Sequence, residues 1–99
     1  MEILFADASL ALIETDEAGA TKLPIAVIRS ARKKLVMLRA ATDDRTLRNW
    51  KGLHYEQLKG DREGQRSIRL NDKYRLVFTL DNDADPKAVT ILAVEDYHK

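Results

Sequence analysis

Several residue types are absent or scarce in this 99-residue chain, and each absence excludes a class of protein. The chain has no cysteine, which excludes a disulfide scaffold and a thiolate metal site. Its apolar runs are too short to span a bilayer, and its first residues lack the basic head and apolar middle of a secretory signal. We therefore expect one cytoplasmic domain over residues 1–99, with no membrane partner.

Neither sign of charge dominates the whole chain, since the net charge is only +1, but the charges are unevenly distributed. Residues 24–75 carry 14 Lys and Arg against 6 Asp and Glu, which gives this segment a net charge of +8. The flanking segments together carry a net charge of −7. A basic centre suits a polyanionic partner such as RNA. An ordinary solvated surface explains this uneven charge distribution equally well.

The N-terminal part of the chain is predicted to form a strand and a short helix. Residues 3–5 are apolar and predict a strand, and residues 8–15 are rich in Ala and Leu and predict a helix. The glycine-containing residues 16–22 predict a loop. Pro24 suits the first position of a second helix, because its missing N–H would have no partner there in any case.

The second helix is predicted to end near Ala41 and to bury one face. Apolar residues recur along it at spacings of three and four, namely Ile25, Ile28, Ala31, Leu35 and Leu38. Residues 42–44 can cap a short helical turn that follows. Trp50 at the end of that turn is interpreted as an anchor in the core, with base stacking as the alternative.

The C-terminal half is predicted to form four strands, over residues 53–59, 65–70, 74–80 and 88–94. Gly60 and Gly64 suit a tight connection between the first two, because glycine adopts positive φ without strain. The last strand is apolar on both faces apart from Thr90, which predicts an interior position. The sequence thus predicts an α+β fold, with an N-terminal strand and two helices packed on a mostly antiparallel four- to five-stranded sheet.

Three motifs in this half resemble a known family. They are GLHYEQLKGDREG at residues 52–64, SIRLNDKYRLVF at residues 67–78, and EDYH at residues 95–98. They are similar to the HigB branch of the RelE-like toxins, the killer proteins of bacterial type II toxin–antitoxin systems. The resemblance implies a RelE-like fold and a ribosome-dependent, metal-independent endoribonuclease that cuts mRNA and inhibits translation. It also implies no cofactor, neutralisation by a HigA-like helix-turn-helix antitoxin, and contact with operator DNA only through the antitoxin complex.

The resemblance also implies a set of active-site residues. The lysine of the Leu-Lys-Gly motif and the terminal Tyr-His pair are active-site groups in the family, and they correspond here to Lys59, Tyr97 and His98. A histidine before that motif is catalytic in some members, and His54 is the candidate here, two positions further from the lysine. Arg75 matches an arginine that the family carries on a strand.

The chemistry of metal-free RNA cleavage explains why a site of this kind would need these residue types. A base takes the 2′-OH proton, cations stabilise the phosphorane, and an acid protonates the 5′-oxygen. His98 suits acid–base work because histidine titrates near neutral pH, and Tyr97 could stack on a base or orient the 2′-OH. Lys59 and Arg75 could neutralise the phosphate, although an ion pair with a carboxylate such as Asp96 is the structural alternative for Arg75.

Further cations surround the predicted hairpins, and we interpret them as phosphate contacts to ribosomal RNA and mRNA, namely Arg62, Arg66, Arg69 and Lys73. No metal site is predicted, because the two histidines lie far apart and the carboxylates show no ligand spacing. The alternative is a catalytically inactive module that binds the ribosome, RNA or an antitoxin and takes part in operon autoregulation.

Overall fold

A five-stranded mixed sheet organises the protein in this computed structural model, which describes residues 1–96. Its strands are β1 (Glu2–Phe5), β2 (Glu56–Gln57), β3 (Gln65–Arg69), β4 (Tyr74–Asp81) and β5 (Ala88–Asp96). They lie in the order β1-β5-β4-β3-β2, and β1 pairs with β5 in parallel while the other neighbours are antiparallel. Tyr97 and His98, two of the predicted site residues, lie outside the described residues.

Three α-helices occur within residues 1–96, and they are α1 (Ala8–Ala11), α2 (Ile25–Ala40) and α3 (Asp44–Asn49). The Asp7 carboxylate accepts a hydrogen bond from the Ser9 N–H at 2.9 Å and so caps α1. Asp43 caps α3 in the same way through the Thr46 N–H at 3.3 Å, which confirms the predicted cap. None of the helices in this part of the chain is long and apolar enough to cross a membrane.

Helix α2 differs from its prediction at its first turn. Pro24 precedes the helix as its N-cap residue instead of occupying the first helical position. Ile25 was expected on the buried face, but 69% of its surface is exposed. At 3.6 residues per turn it points roughly a third of a turn away from the buried stripe. Val27 joins that stripe in its place, together with Ile28, Ala31, Leu35 and Leu38.

The first strand of the C-terminal half is much shorter than its prediction over residues 53–59. Leu53 closes a 3₁₀ turn (Lys51–Leu53), and His54 then adopts a left-handed backbone conformation with φ of 48°. A positive φ cannot continue a strand, so pairing with β3 starts only at Glu56. The Leu58 N–H still donates to the Gln65 carbonyl at 2.9 Å, which keeps the segment beside the sheet edge.

Short helical turns also occur in the N-terminal segment and in the connection between β2 and β3. Residues 8–15 hold α1 and then a 3₁₀ turn (Leu12–Glu14), while the predicted loop over residues 16–22 contains another (Ala18–Thr21). A further 3₁₀ turn (Gly60–Arg62) lies between β2 and β3. Both glycines of that connection adopt positive φ, 70° at Gly60 and 91° at Gly64, as their position predicts.

One face of the sheet packs against α2 and forms the hydrophobic core. Its sheet residues include Ile68, Leu76, Phe78, Val89 and Ile91, and all are fully buried. Trp50 is half-buried and packs against this core, which confirms its interpretation as an anchor. Strand β5 pairs on both sides, with β1 and with β4, so its predicted interior position is also confirmed.

Candidate functional site

The face of the sheet that points away from α2 carries a row of polar and charged side chains. Residues directly opposite in an antiparallel pair point to the same face, and successive residues of a strand alternate between faces. Since Ile68 and Leu76 face the core, their neighbours face the other way. The register then defines this far face, as we call it, by Glu56, Ser67, Arg69, Arg75, Val77 and Glu95.

Arg75 is firmly held at the centre of the far face. Its side chain is only 12% exposed. Its Nε donates to the Ser67 hydroxyl at 2.8 Å, and its Nη2 donates to the His54 carbonyl oxygen at 2.5 Å. The Glu56 carboxylate lies 3.8 Å from the same Nη2. A guanidinium with this many fixed contacts is pre-organised, because little rotamer freedom remains to be lost when it meets an anion.

The strand register shows how the carboxylates of β5 lie relative to Arg75, for which Asp96 was the expected ion-pair partner. Across the β4–β5 pair, Arg75 lies opposite Glu95, and Asp96 lies opposite Tyr74. Adjacent positions of a strand point to opposite faces, so Glu95 is the β5 carboxylate of the far face. The structure therefore adds Glu56 and Glu95 to the acidic neighbours of this arginine.

Arg69 lies directly opposite Arg75 on the neighbouring strand. Its Nη2 forms an ion pair with the Asp72 carboxylate, and its Nε donates to the Asn71 carbonyl at 3.3 Å. Its Nη1 lies 3.5 Å from Nε2 of His54. Two like charges in register destabilise a strand pair. The acceptors around both guanidinium groups offset that repulsion, and we call the two arginines with these acceptors the arginine site.

His54 contacts both arginines through different parts of the residue. Its backbone carbonyl binds Arg75, and its exposed imidazole lies beside Arg69. The left-handed backbone at this position turns the carbonyl and the ring toward the far face. Histidine is one of the few residue types other than glycine that are enriched in this conformation.

Lys59 lies on the connection between β2 and β3, immediately before the 3₁₀ turn Gly60–Arg62, and is exposed. It lines a groove of about 540 Å³ together with Gln57 and Arg66. Arg66 pairs in register with Phe78, which places it on the core-facing side of the sheet. The structure therefore separates Arg66 from the Arg69–Arg75 pair.

Arg66 and its neighbour Tyr55 are polar residues at the edge of the core. Nη1 of Arg66 is buried and has no hydrogen-bond partner among the described residues. Burial raises the pKa of the Tyr55 hydroxyl, because the phenolate would lose hydration. The Arg48 guanidinium lies 5.6 Å from the centre of the Tyr55 ring, at a distance that allows a cation–π contact.

The remaining predicted phosphate contacts differ in how they are held. Arg62 forms a two-pronged ion pair with Glu95, with bonds of 2.8 and 2.5 Å. Lys73 is exposed in the β3–β4 turn, where its backbone N–H donates to the Asn71 side chain at 2.8 Å. Lys73 thus adds an exposed cation beside the arginine site, whereas the charge of Arg62 is already balanced.

Comparison with known proteins matches this chain to one family. The family model described as "RelE-like toxin of type II toxin-antitoxin system HigB" covers residues 4–98. This chain belongs to the HigB-like toxins. A curated relative, Toxin HigB-1 of Vibrio cholerae serotype O1, is 33% identical over 78 residues, which are 79% of this chain and 82% of the relative.

Solved structures share the fold of this HigB-like toxin at low sequence identity. The YoeB/ParE toxin from Agrobacterium tumefaciens superposes with a TM-score of 0.61 at 14% identity and covers 99% of this chain and 100% of its own. The toxin of the YoeB-YefM complex from Staphylococcus aureus reaches 0.57 at 19% identity and covers 100% and 98%. The resemblance and the RelE-like α+β fold that the sequence predicts are therefore confirmed.

The HigB-like toxin brings only part of the predicted site together within residues 1–96. His54, Arg69 and Arg75 share direct contacts on the far face. Sequence reasoning missed Ser67, Glu56 and Glu95, which hold or border the arginines. The alternation of Ser67, Ile68 and Arg69 already places Ser67 on the face of Arg69, but its bond to Arg75 depends on the register of the hairpin. Residues 1–96 contain no cluster of three His, Asp or Glu side chains that could hold a metal ion.

Proposed function

We propose that this HigB-like toxin is a ribosome-dependent, metal-independent endoribonuclease that cleaves mRNA and thereby inhibits translation. The observation that carries the proposal is the juxtaposition of Arg69 and Arg75 on the far face. An isolated domain gains no stability from like charges in register. A phosphate of RNA would bind the two pre-organised guanidinium groups together.

Each candidate residue has a specific role in this proposal. Arg75 and Lys59 stabilise the negative charge that develops on the phosphorane when the 2′-oxygen attacks phosphorus. His98 donates the proton that the 5′-oxygen needs as it leaves. Tyr97 orients the 2′-OH or stacks on a base. His54 holds Arg75 through its carbonyl, and its imidazole, near the arginines, takes the proton that the 2′-OH loses when its oxygen attacks phosphorus.

Two features support dependence on the ribosome. Neither the far face nor the Lys59 groove is an enclosed cavity, so they offer little to hold a flexible RNA strand in an attacking geometry. Positioning of the reacting groups supplies a large part of such a rate enhancement. A ribosome that presents the mRNA would provide that positioning, while Arg69 and Lys73 would contact RNA phosphates.

The proposal includes a HigA-like helix-turn-helix antitoxin as the partner, with operator DNA bound only through the complex. It is supported by membership of a family of toxin–antitoxin systems and by the toxin–antitoxin complexes among the structural relatives, such as the YoeB-YefM complex. We place the toxin in the cytoplasm, because its proposed substrate is translated there.

Primer extension on a defined mRNA in a reconstituted translation system tests the proposal. The toxin is added with and without ribosomes, and naked RNA is also incubated in EDTA. We expect cuts only with ribosomes, and strong reduction of these cuts in Lys59→Ala and His98→Ala. Lys22→Ala, at an exposed lysine that does not line the groove, is the matched control. Inhibited translation and ribosome binding without cuts would instead favour the catalytically inactive binding module.

A further inference from the structure

We propose that Arg62 and Glu95 form a positioning clamp that joins the Lys59 segment to the end of β5. This inference rests on the proposed nuclease function, because those two segments carry the groups assigned to the chemistry. It replaces the reading of Arg62 as a direct phosphate contact. The clamp touches neither substrate nor reacting atoms, so both residues are positioning residues.

The geometry of the ion pair supports a fixed link. Nη1 and Nη2 of Arg62 donate to the two carboxylate oxygens of Glu95 at 2.8 and 2.5 Å, while Nε donates to the Gln65 side chain at 3.0 Å. A two-pronged pair with a third bond defines the orientation of the guanidinium plane. The two partners are 33 positions apart in the sequence, so the contact is purely tertiary.

The clamp connects to Lys59 through the backbone. The Arg62 N–H donates to the Lys59 carbonyl at 3.4 Å, and the Glu63 N–H donates to the Gly60 carbonyl at 3.1 Å. These bonds form the 3₁₀ turn, so displacement of Arg62 would move Lys59 with it. At the other end, Tyr97 and His98 follow Glu95 by two and three positions on the same chain.

The clamp also borders the arginine site. One small pocket is lined by Leu58, Arg62, Ser67, Arg75, Val77 and Glu95. Glu95 lies opposite Arg75 in register, yet both of its oxygens bind Arg62. The charge of Glu95 is thereby balanced by Arg62, while Ser67, His54 and Glu56 are among the groups that contact the Arg75 guanidinium.

The clamp and a phosphate contact make opposite predictions for Glu95→Gln. If Arg62 binds phosphate, removing Glu95 releases it, and ribosome affinity should increase. If the pair is a clamp, ribosome affinity should stay within about twofold, and the cleavage rate at saturating ribosomes should fall roughly tenfold or more. Arg62→Gln should have the same effect, and the double variant should lose no more than either single variant, because all three break one contact.

Purified toxin carrying each substitution is measured for single-turnover cleavage and for ribosome binding by sedimentation. Asp61→Asn makes the matching carboxylate-to-amide change at an exposed position of the same connection that does not line the Lys59 groove, and it is expected to behave as the parent protein. Hydrogen exchange of the amides of residues 60–63 is followed in parallel, and the clamp predicts faster exchange in Glu95→Gln and Arg62→Gln only. Thermal melting checks folding, since a partly exposed pair contributes no more than about 1 kcal/mol.

The outcomes separate the clamp from the proposed function. If the parent does not cut mRNA, the nuclease proposal fails, and unchanged hydrogen exchange in Glu95→Gln would then also overturn the clamp. If the parent cuts and Glu95→Gln cuts equally well, the clamp alone is wrong. Tighter ribosome binding by Glu95→Gln, with weaker binding by Arg62→Gln, would restore Arg62 as a phosphate contact.

Discussion

Arg69 and Arg75 lie directly opposite each other on neighbouring strands, on the sheet face that points away from the helices. Each is held by its own acceptors, Arg69 by the Asp72 carboxylate and Arg75 by the Ser67 hydroxyl and the His54 carbonyl. The strands thus tolerate a repulsion that in a sheet costs up to about 1 kcal/mol per pair. Four predictions test the residues around this pair and the fold that supports it.

The shape of the Arg75 side chain, and not only its charge, is expected to matter. An ammonium group in Arg75→Lys cannot reproduce the bonds to both Ser67 and His54, so it would be poorly fixed. We expect the single-turnover cleavage rate on ribosome-bound mRNA to fall by roughly tenfold to a hundredfold. Arg45→Lys, on the exposed surface of α3, is the control and should match the parent. An unaffected rate in Arg75→Lys would show that charge alone suffices.

Asp72 is expected to weaken RNA binding by neutralising Arg69. Its side chain is 90% exposed, so Asp72→Asn should leave the fold intact while it releases the guanidinium. We expect tighter ribosome binding and a salt dependence steeper by about one unit in log K against log salt. Binding is measured over a series of salt concentrations, with Asp83→Asn in the distant β4–β5 turn as the control. Identical slopes for the two variants would remove Arg69 from the interface.

His54→Gly separates the two roles of His54. Glycine adopts positive φ without strain, so the carbonyl that binds Arg75 should stay in place and the melting temperature should not fall. We expect the cleavage rate to fall by about a hundredfold if the imidazole transfers a proton. The pH–rate profile is recorded for parent and variant. A variant that cleaves at the parental rate and with the parental profile would limit His54 to its backbone contact.

Acid stability is expected to depend on Glu14, which binds Arg39 of α2. Hydrogen bonds from Arg39 lower the pKa of Glu14 below its usual value near 4.5. Because the folded-state pKa is the lower one, the stabilisation is complete above pH 4.5 and is lost as the pH falls through the folded-state pKa.

Denaturant titrations at pH 7 and at successively lower pH test this contribution. The pair is partly exposed, so Glu14→Gln should cost no more than about 1 kcal/mol at pH 7 and reduce the decline in stability below pH 4.5. Glu17→Gln, at an exposed position on the same loop, should retain the parental decline. A decline in Glu14→Gln as steep as in the parent would contradict the assignment.

Local patterns in the sequence predicted most elements of the fold. They failed where the conformation or burial of a residue depends on the tertiary structure around it. The alternation of Ile68 and Arg69 identifies β3, and the spacing of Leu35 and Leu38 identifies the buried face of α2. Ile25 was predicted to lie on that buried face, but it is exposed. Apolar spacing within a helix does not show how far the elements that cover the helix extend along it. The predicted strand over residues 53–59 failed because His54 has positive φ, which no local pattern demands.

The sequence by itself determined the family and the candidate groups. The motifs around Lys59, Arg75 and the terminal Tyr97-His98 pair are contiguous in the chain, and contiguous motifs are readable without a structure. The basic centre between acidic flanks was likewise a property of composition. These features are local, so they could be read directly from the chain.

Only the tertiary structure decided which of these groups meet. Alternation along β3 and β4 separates Ile68 and Leu76 from Arg69 and Arg75, but only the hairpin register placed Arg69 directly opposite Arg75. Alternation also puts Arg66 on the side of Ile68, away from Arg69. The ion pair between Arg62 and Glu95 joins the connection between β2 and β3 to strand β5. A contact of this kind depends on the packing of the whole chain.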